Sequence, residues 1–512
     1  MRKAAPDSAL HPFREGLLCF AAFFIIFTLT HSGYDDSEGV YQYMAARQIV
    51  TAHALSFPEE PPHGVFKVAP NGRTYTSHEI GNTLFMLPYA LLNVQLERLL
   101  TPRIGERKVL LLTRFLSASL SSVYAAAGLA LIVVLLRVHF AQTLRAALIN
   151  AMILGFCSYY WNDSRSVFDG LLCATLLSAA TLLLFLYARG GDERLLALAF
   201  GFLGLGFISR LSMVIPIAAA LLYLGLILRS NWKRYPKALA TAAIVLLPFF
   251  AWQAYYNHLR TGNALVNPVR TFDDNYLTGD LRTHLPGLLI SPGKGVFVYA
   301  PPLLLSLFCF PAFFRRYRAE ALYIGMIGIT WLLIHAKLAG NWHGQYSWGP
   351  KHFITITPLV AIPFLVCGRE VFRPAAKMAF AGISLSFGFL LAVASIIGNP
   401  HYRLELAHLQ GTSEHQLVWS LTESQSVDML RSSSRNIARM FANVPWDVVP
   451  KASAMDQHAS NTVNVWLLTA YHQGVPAIVV ALTAVLLLSS LICCVWLLLR
   501  PQVGHHTAAE FP

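Results

Sequence analysis

Three carboxylates open the first long polar stretch of the chain, in Tyr34-Asp35-Asp36-Ser37-Glu38-Gly39-Val40-Tyr41. Tyr41, Met44, Ala45, Ile49 and Ala52 then recur at helical spacing, so the acids stand at the start of an amphipathic helix lying along a membrane surface. As local structure, such acids cap the helix and complement its dipole. As chemistry, a carboxylate at a membrane–water boundary is a general base, because partial desolvation raises its proton affinity. The stretch ends with the turn signal Asn71-Gly72 and then His78-Glu79, directly before an apolar run.

Basic groups form the second chemical set. Tyr159-Tyr160-Trp161-Asn162-Asp163-Ser164-Arg165-Ser166-Val167-Phe168-Asp169 reads as an interfacial aromatic belt, with Arg165 and Asp169 spaced to pair across one helical turn. Arg210 interrupts two apolar runs; it either snorkels or binds a lipid phosphate, since guanidinium makes paired hydrogen bonds to phosphate. In Ser291-Pro292-Gly293-Lys294-Gly295, glycines flank a lysine, either as a plain turn or as a loop offering N–H groups and an ammonium to an anion. Trp342, Tyr346, Trp348, Lys351 and His352 precede another apolar run; they suit either an aromatic belt or a wall that stacks on a sugar and contacts phosphate.

The elements that must position these groups are membrane helices. The 512 residues are 55% hydrophobic and only 13% charged, about half the charge of an ordinary soluble domain. With a mean hydropathy of +0.51, this excludes a soluble enzyme, a disordered chain and a disulfide scaffold. The net charge of +13 records membrane topology rather than nucleic-acid binding. Apolar runs fall near 17–29, 82–98, 109–136, 146–160, 168–188, 195–209, 211–229, 238–256, 295–314, 320–338, 351–368, 378–397 and 476–499. They predict an all-α polytopic bundle of about 11–13 transmembrane helices.

Basic clusters at Arg98–Lys108, Arg137–Arg145, Arg189–Arg194, Arg229–Lys237, Arg315–Arg318 and Arg369–Lys377 read as cytoplasmic. Segments 32–81, 257–294, 339–350 and 398–470 then lie outside, so all the chemical motifs share one side. One conflict stands in this assignment: run 109–136 joins two basic loops, which a single crossing cannot do. Either 82–98 does not fully cross or one basic loop is external.

In this order, the motifs resemble those of the bacterial GT-C glycosyltransferases, including the protein O-mannosyltransferase and lipid A aminoarabinose transferase groups. The pieces are Asp36-Ser-Glu-Gly-Val-Tyr41, Tyr75-Thr-Ser-His-Glu-Ile-Gly81, Gly204–Arg210, Ser291-Pro-Gly-Lys-Gly295 with Tyr299-Ala-Pro301, and Trp348-Gly-Pro-Lys-His352. The resemblance spans about residues 16 to 368 and is loose beyond. It implies a GT-C-like bundle and a sugar donor carried on polyprenyl phosphate. It further implies inverting transfer to an acceptor hydroxyl on the periplasmic face of the bacterial inner membrane, with a first-loop acid as base. The family's Asp-Glu pair is altered here: the Glu matches Glu38, the Asp position holds Ser37, and Asp36 lies one residue earlier. Lys351 stands where relatives often carry Arg, which keeps the charge and loses the bidentate fork.

The expected arrangement follows. Residues 1–397 form the catalytic membrane module with its first loop at 32–81, 398–470 form a periplasmic cap, and 471–512 hold the last membrane helix and a cytoplasmic tail. Glu38 or Asp36 is the base, with Glu38 slightly favoured. His78, Arg165, Arg210, Lys294, Lys351 and His352 bind the donor phosphate. Glu79, Asp169, Tyr346, Trp342 and Trp348 line the sugar and acceptor space. The partners are the lipid-linked donor, a glycan, lipid or protein acceptor, and the bilayer, with no nucleic acid. No ligand spacing compels a metal, while the first-loop carboxylates and histidines leave room for a divalent ion. A lipid-linked sugar flippase would need polar residues along a path through the membrane, which the acid-poor helices disfavour. A non-catalytic envelope assembly partner would instead use 398–470 as a contact surface.

Overall fold

Helix α1 (Pro6–Thr30) and helix α5 (Leu120–Val138) pack side by side and antiparallel. At one end Arg137 grips Glu15 through two N–H···O contacts of 2.8 and 3.1 Å; at the other, His31 Nε2 meets Ser121 Oγ at 3.2 Å. The chain between them therefore leaves and returns at the same end of the bundle. In this computed structural model, residues 6–33, 38–58, 66–268, 277–340, 342–344, 347–442 and 461–499 are described.

Most of the described chain is helical, as apolar segments must be where lipid offers the backbone no hydrogen bonds. Among the described residues, seven stretches are long and apolar enough to cross a membrane: 12–30, 106–138, 169–190, 211–261, 318–336, 375–397 and 477–499. The protein is an all-helical polytopic membrane protein. Several other apolar runs also form helices, but short ones. Helix α6 (Leu144–Phe156) is about 20 Å long, less than the roughly 30 Å hydrocarbon layer. Run 351–368 breaks into short helical pieces at its prolines, Pro358 and Pro363.

Tertiary structure resolves the topological conflict. The stretch 106–138 would span about 50 Å as one straight helix, well beyond the hydrocarbon layer. It is interrupted at Ser119, and its first part, α4 (Glu106–Ala118), continues past the end of α1. There Phe115 packs on Trp466 at 4.4 Å, and Arg107 donates to Gln473. Helix α3 (Ile80–Ile104) folds back on α4 through Gly105, whose φ of +87° suits glycine alone. It also lies along α2 (Gly39–Ala52), tied by Arg47–Glu97 and Asn93–Tyr43. The basic cluster at 98–108 thus sits at the His31 end. The clusters around Arg137, Arg189, Arg234 and Glu320 meet at the opposite end, where Arg189 donates to Val138 O, His139 meets Glu320, and Arg234 meets Glu193.

At the His31 end the first loop forms a two-stranded hairpin, β1 (Phe66–Val68) and β2 (Thr74–Thr76), turning at Asn71-Gly72. This hairpin delivers His78 and Glu79 to the start of α3. Gly81 makes the delivery possible: a Cβ there would lie 2.1 Å from Ser209 Oγ, so only glycine lets α3 reach the end of α9 (Glu193–Ser209). After the membrane helix 375–397, three short helices cover this end: α19 (Pro400–Leu409), α20 (Glu414–Trp419) and α21 (Gln425–Phe441).

Candidate functional site

The phenyl ring of Phe168 organises the site. It precedes the membrane helix that begins at Asp169 and lies under two cations. The Arg210 guanidinium is 5.2 Å and the Lys351 ammonium 5.0 Å from its centroid. Each cation has an acid beside it. Arg210 Nη1 meets Asp169 Oδ1 at 3.2 Å, and Lys351 Nζ meets Glu38 Oε2 at 3.6 Å. Arg210 also donates to His352 Nδ1 at 2.9 Å. A guanidinium only donates, so that nitrogen accepts and the His352 ring proton sits on Nε2.

Local sequence explains the placement. Arg210 ends α9 in an extended conformation, φ −157°, where the helix gives way to a short 3-10 turn. Asp169 opens a membrane helix, where its carboxylate meets the positive dipole end. Lys351 starts a 3-10 turn after Pro350, and Glu38 immediately precedes α2.

A cavity of about 150 Å³ opens here, walled by Glu38, Asp163, Arg165, Phe168, Trp348 and Lys351. Among the described residues, its two carboxyls are tuned in opposite directions. Lys351 beside Glu38 holds that carboxyl below the usual carboxylate range, with His78 and Arg210 assisting against partial burial. Burial pushes Asp163 well above its usual range, against the pull of Lys351 and Arg210. Asp163 Oδ2 is buried without a hydrogen-bond partner. One cavity therefore holds a carboxyl biased toward its ionised form, which accepts a proton, and a carboxyl biased toward its protonated form, which donates a hydrogen bond. His78, with a buried and unpartnered Nε2, is within electrostatic reach of Glu38 and Asp169.

The other expected site residues have different surroundings. Arg165 lines the cavity, but its guanidinium donates to the carbonyls of Ser395, Ile396 and Asn464, tying membrane helix 375–397 to the chain after 461. It does not pair with Asp169, which Arg210 takes instead. Glu79 accepts from Asn267 Nδ2 at 2.8 Å. Trp342 stacks on His284 at 4.5 Å and fills the space above Gly287, away from this cavity; Trp348 lines it, held edge-on by Tyr299 at 4.8 Å. Lys294 lies behind the cavity wall, donating to Ser347 O at 2.5 Å. The N–H groups of the 293–295 loop are not offered to an anion. They go to Val418 O, Ser291 Oγ and Ser291 O, because this loop docks α20. Asp36 and Tyr346 lie outside the described residues.

The sequence reading passed over Asp163, Asn399 and His401, which also face the cavity. Asp163 carried a usable signal: it is the first acid after Glu106 in a long acid-free stretch. Among the described residues, no group of three or more His, Cys, Asp or Glu side chains is arranged to hold a metal ion.

Compared with known proteins, the sequence matches no family profile and no curated protein. Among solved structures, the chain is similar to a crystal structure of ArnT from Cupriavidus metallidurans in the apo state. The similarity has 13% identity and a TM-score of 0.47, over 84% of this chain and 78% of that one.

Proposed function

We propose that the protein is a GT-C-type glycosyltransferase of the bacterial inner membrane. It moves a sugar from a polyprenyl-phosphate donor to an acceptor hydroxyl at the periplasmic face. The observation that carries this reading is the meeting of Glu38, Asp163, Asp169, Arg210 and Lys351 around one ring and one cavity, although they lie far apart in sequence. An acid able to accept a proton, next to cations able to hold a phosphate, suits displacement at an anomeric carbon bearing a phosphate leaving group.

In the proposed step the acceptor oxygen bonds to the anomeric carbon as the carbon–oxygen bond to phosphate breaks. The acceptor's proton goes to Glu38, and the lipid phosphate leaves on Lys351 and Arg210. Arg210 uses two of its five N–H donors on Asp169 and His352, leaving others for phosphate. As the phosphate draws Lys351 away, Glu38 loses the partner that keeps its proton affinity low, so donor binding itself strengthens the base. Asp163, which burial biases toward its protonated form, hydrogen-bonds a sugar hydroxyl or phosphate oxygen. Holding both substrates together supplies much of the remaining rate.

The test is release of polyprenyl phosphate by the purified protein from a panel of polyprenyl-phosphate sugars. Glu38→Gln is expected to lower turnover about 10²- to 10⁴-fold, the usual worth of a general base. If Asp36→Asn causes that loss and Glu38→Gln does not, Asp36 is the base. Full turnover in the double variant overturns the mechanism.

A further inference from the structure

A second cavity, of about 390 Å³, lies across the backbone at residue 347 from the first. Ser347 lines the first cavity, and its carbonyl accepts from Lys294, which lines the second. The inner wall is Lys294 and His343, exposed by only 2% and 5%. The outer wall comes from the covering segment: Leu404, residues 411–414, Leu417 and Val418.

Among the described residues, basic groups outnumber acids here. Lys294 and His343 face the space, with His284 and Lys351 close behind. Among the described residues, the acid facing them is Glu414, whose carboxylate pairs with His343 Nε2. Glu414 rides on the six-residue α20, and its side chain is 64% exposed. A buried ammonium facing an open space creates a demand for negative charge. A half-solvated carboxylate on a short helix is a replaceable way to meet it.

We propose that this second cavity is an anion subsite for a phosphate-type group of a substrate, with Glu414 holding the place until that group arrives. The anion chemistry stands on this cavity alone; the assignment of the group to a glycosyl-transfer substrate rests on the function proposed above. Burial, with Lys351 nearby, lowers the Lys294 ammonium to about 7 against the opposing pull of Glu414. Binding is therefore stronger below neutrality than above it. His343, also lowered by burial and by the charges of Lys294 and His284, adds a second donor at acidic pH.

The test measures inorganic phosphate binding to the detergent-purified full chain by calorimetry, at pH 6 and pH 8. A Lys351→Met background removes the lysine of the first cavity. Glu414→Gln removes the competing carboxylate from an exposed position and is expected to tighten phosphate binding several-fold. Lys294→Met is expected to weaken it at least tenfold, and binding is expected to weaken from pH 6 to pH 8. Unchanged or weaker binding in Glu414→Gln overturns the proposal, whatever Lys294→Met does to folding. Competition by a short-chain polyprenyl phosphate assigns the site to the lipid phosphate. Phosphate binding that survives the lipid assigns it to the acceptor. These readouts need no turnover, so a failed transferase assay and a failed anion site are separate results.

Discussion

The two cavities share a wall and differ in how their charges are answered. In the first, Lys351 and Arg210 each face an acid, Glu38 and Asp169, across a common aromatic ring. In the second, Lys294 and His343 face one largely solvated acid contributed by the covering helices. Lys351 and Arg210 each lie beside an acid from another segment, and Lys351 tunes Glu38 in return. A lysine answered by a half-solvated carboxylate on a six-residue helix is open to exchanging it for another anion. The first arrangement suits proton and phosphate chemistry; the second suits recognition.

The largest effect that separates them is structural. Arg210→Ala leaves Asp169 as an uncompensated buried charge and is expected to cost about 3–5 kcal/mol, measured by denaturation in detergent. Pairing it with Asp169→Leu is expected to recover most of that stability and none of the turnover. If turnover returned as well, Arg210 would be a structural counter-ion alone.

A pH readout comes next. The lowered Glu38 carboxyl ionises below the ordinary carboxylate range, so the acid limb of kcat/KM is expected at low pH. Lys351→Gln should move that limb to higher pH as well as slow turnover. The stability contributed by the Glu38–Lys351 pair is present above the unfolded carboxyl value and is lost as pH falls through the folded one.

Lys294 behaves with the opposite sign. Its folded value near 7 lies below the ordinary 10.5, so between those limits the unfolded chain binds more protons. Stability should therefore rise with pH across that window, and Lys294→Met should flatten the rise. An unchanged slope would mean that the second cavity does not desolvate its lysine. The smallest effect belongs to Arg47–Glu97, a partly exposed pair joining α2 to α3. Arg47→Ala should cost about 0.2–1 kcal/mol and leave both cavities as they are.

Much of the candidate site was legible one motif at a time. Glu38, His78, Asp169, Arg210 and Lys351 were each singled out by type and setting, because a charge beside an apolar run is costly and needs a reason. Arg165 read the same way, yet its donors hold backbone carbonyls, and no sequence pattern announces that a carbonyl near residue 395 will need them. Asp163 was hidden by its aromatic neighbours, which dominate any reading of that turn.

Composition and apolar periodicity alone determined a helical polytopic membrane protein, because lipid leaves the backbone no other way to satisfy its hydrogen bonds. Residue type alone marked most of the chemical groups. The tertiary structure decided which of them meet. Their distances depend on where α3 turns back at Gly105, how closely Gly81 lets α3 approach α9, and which carbonyls the covering helices bring to the 293–295 loop. The last two are packing choices between segments more than a hundred residues apart, and a local pattern carries no record of them.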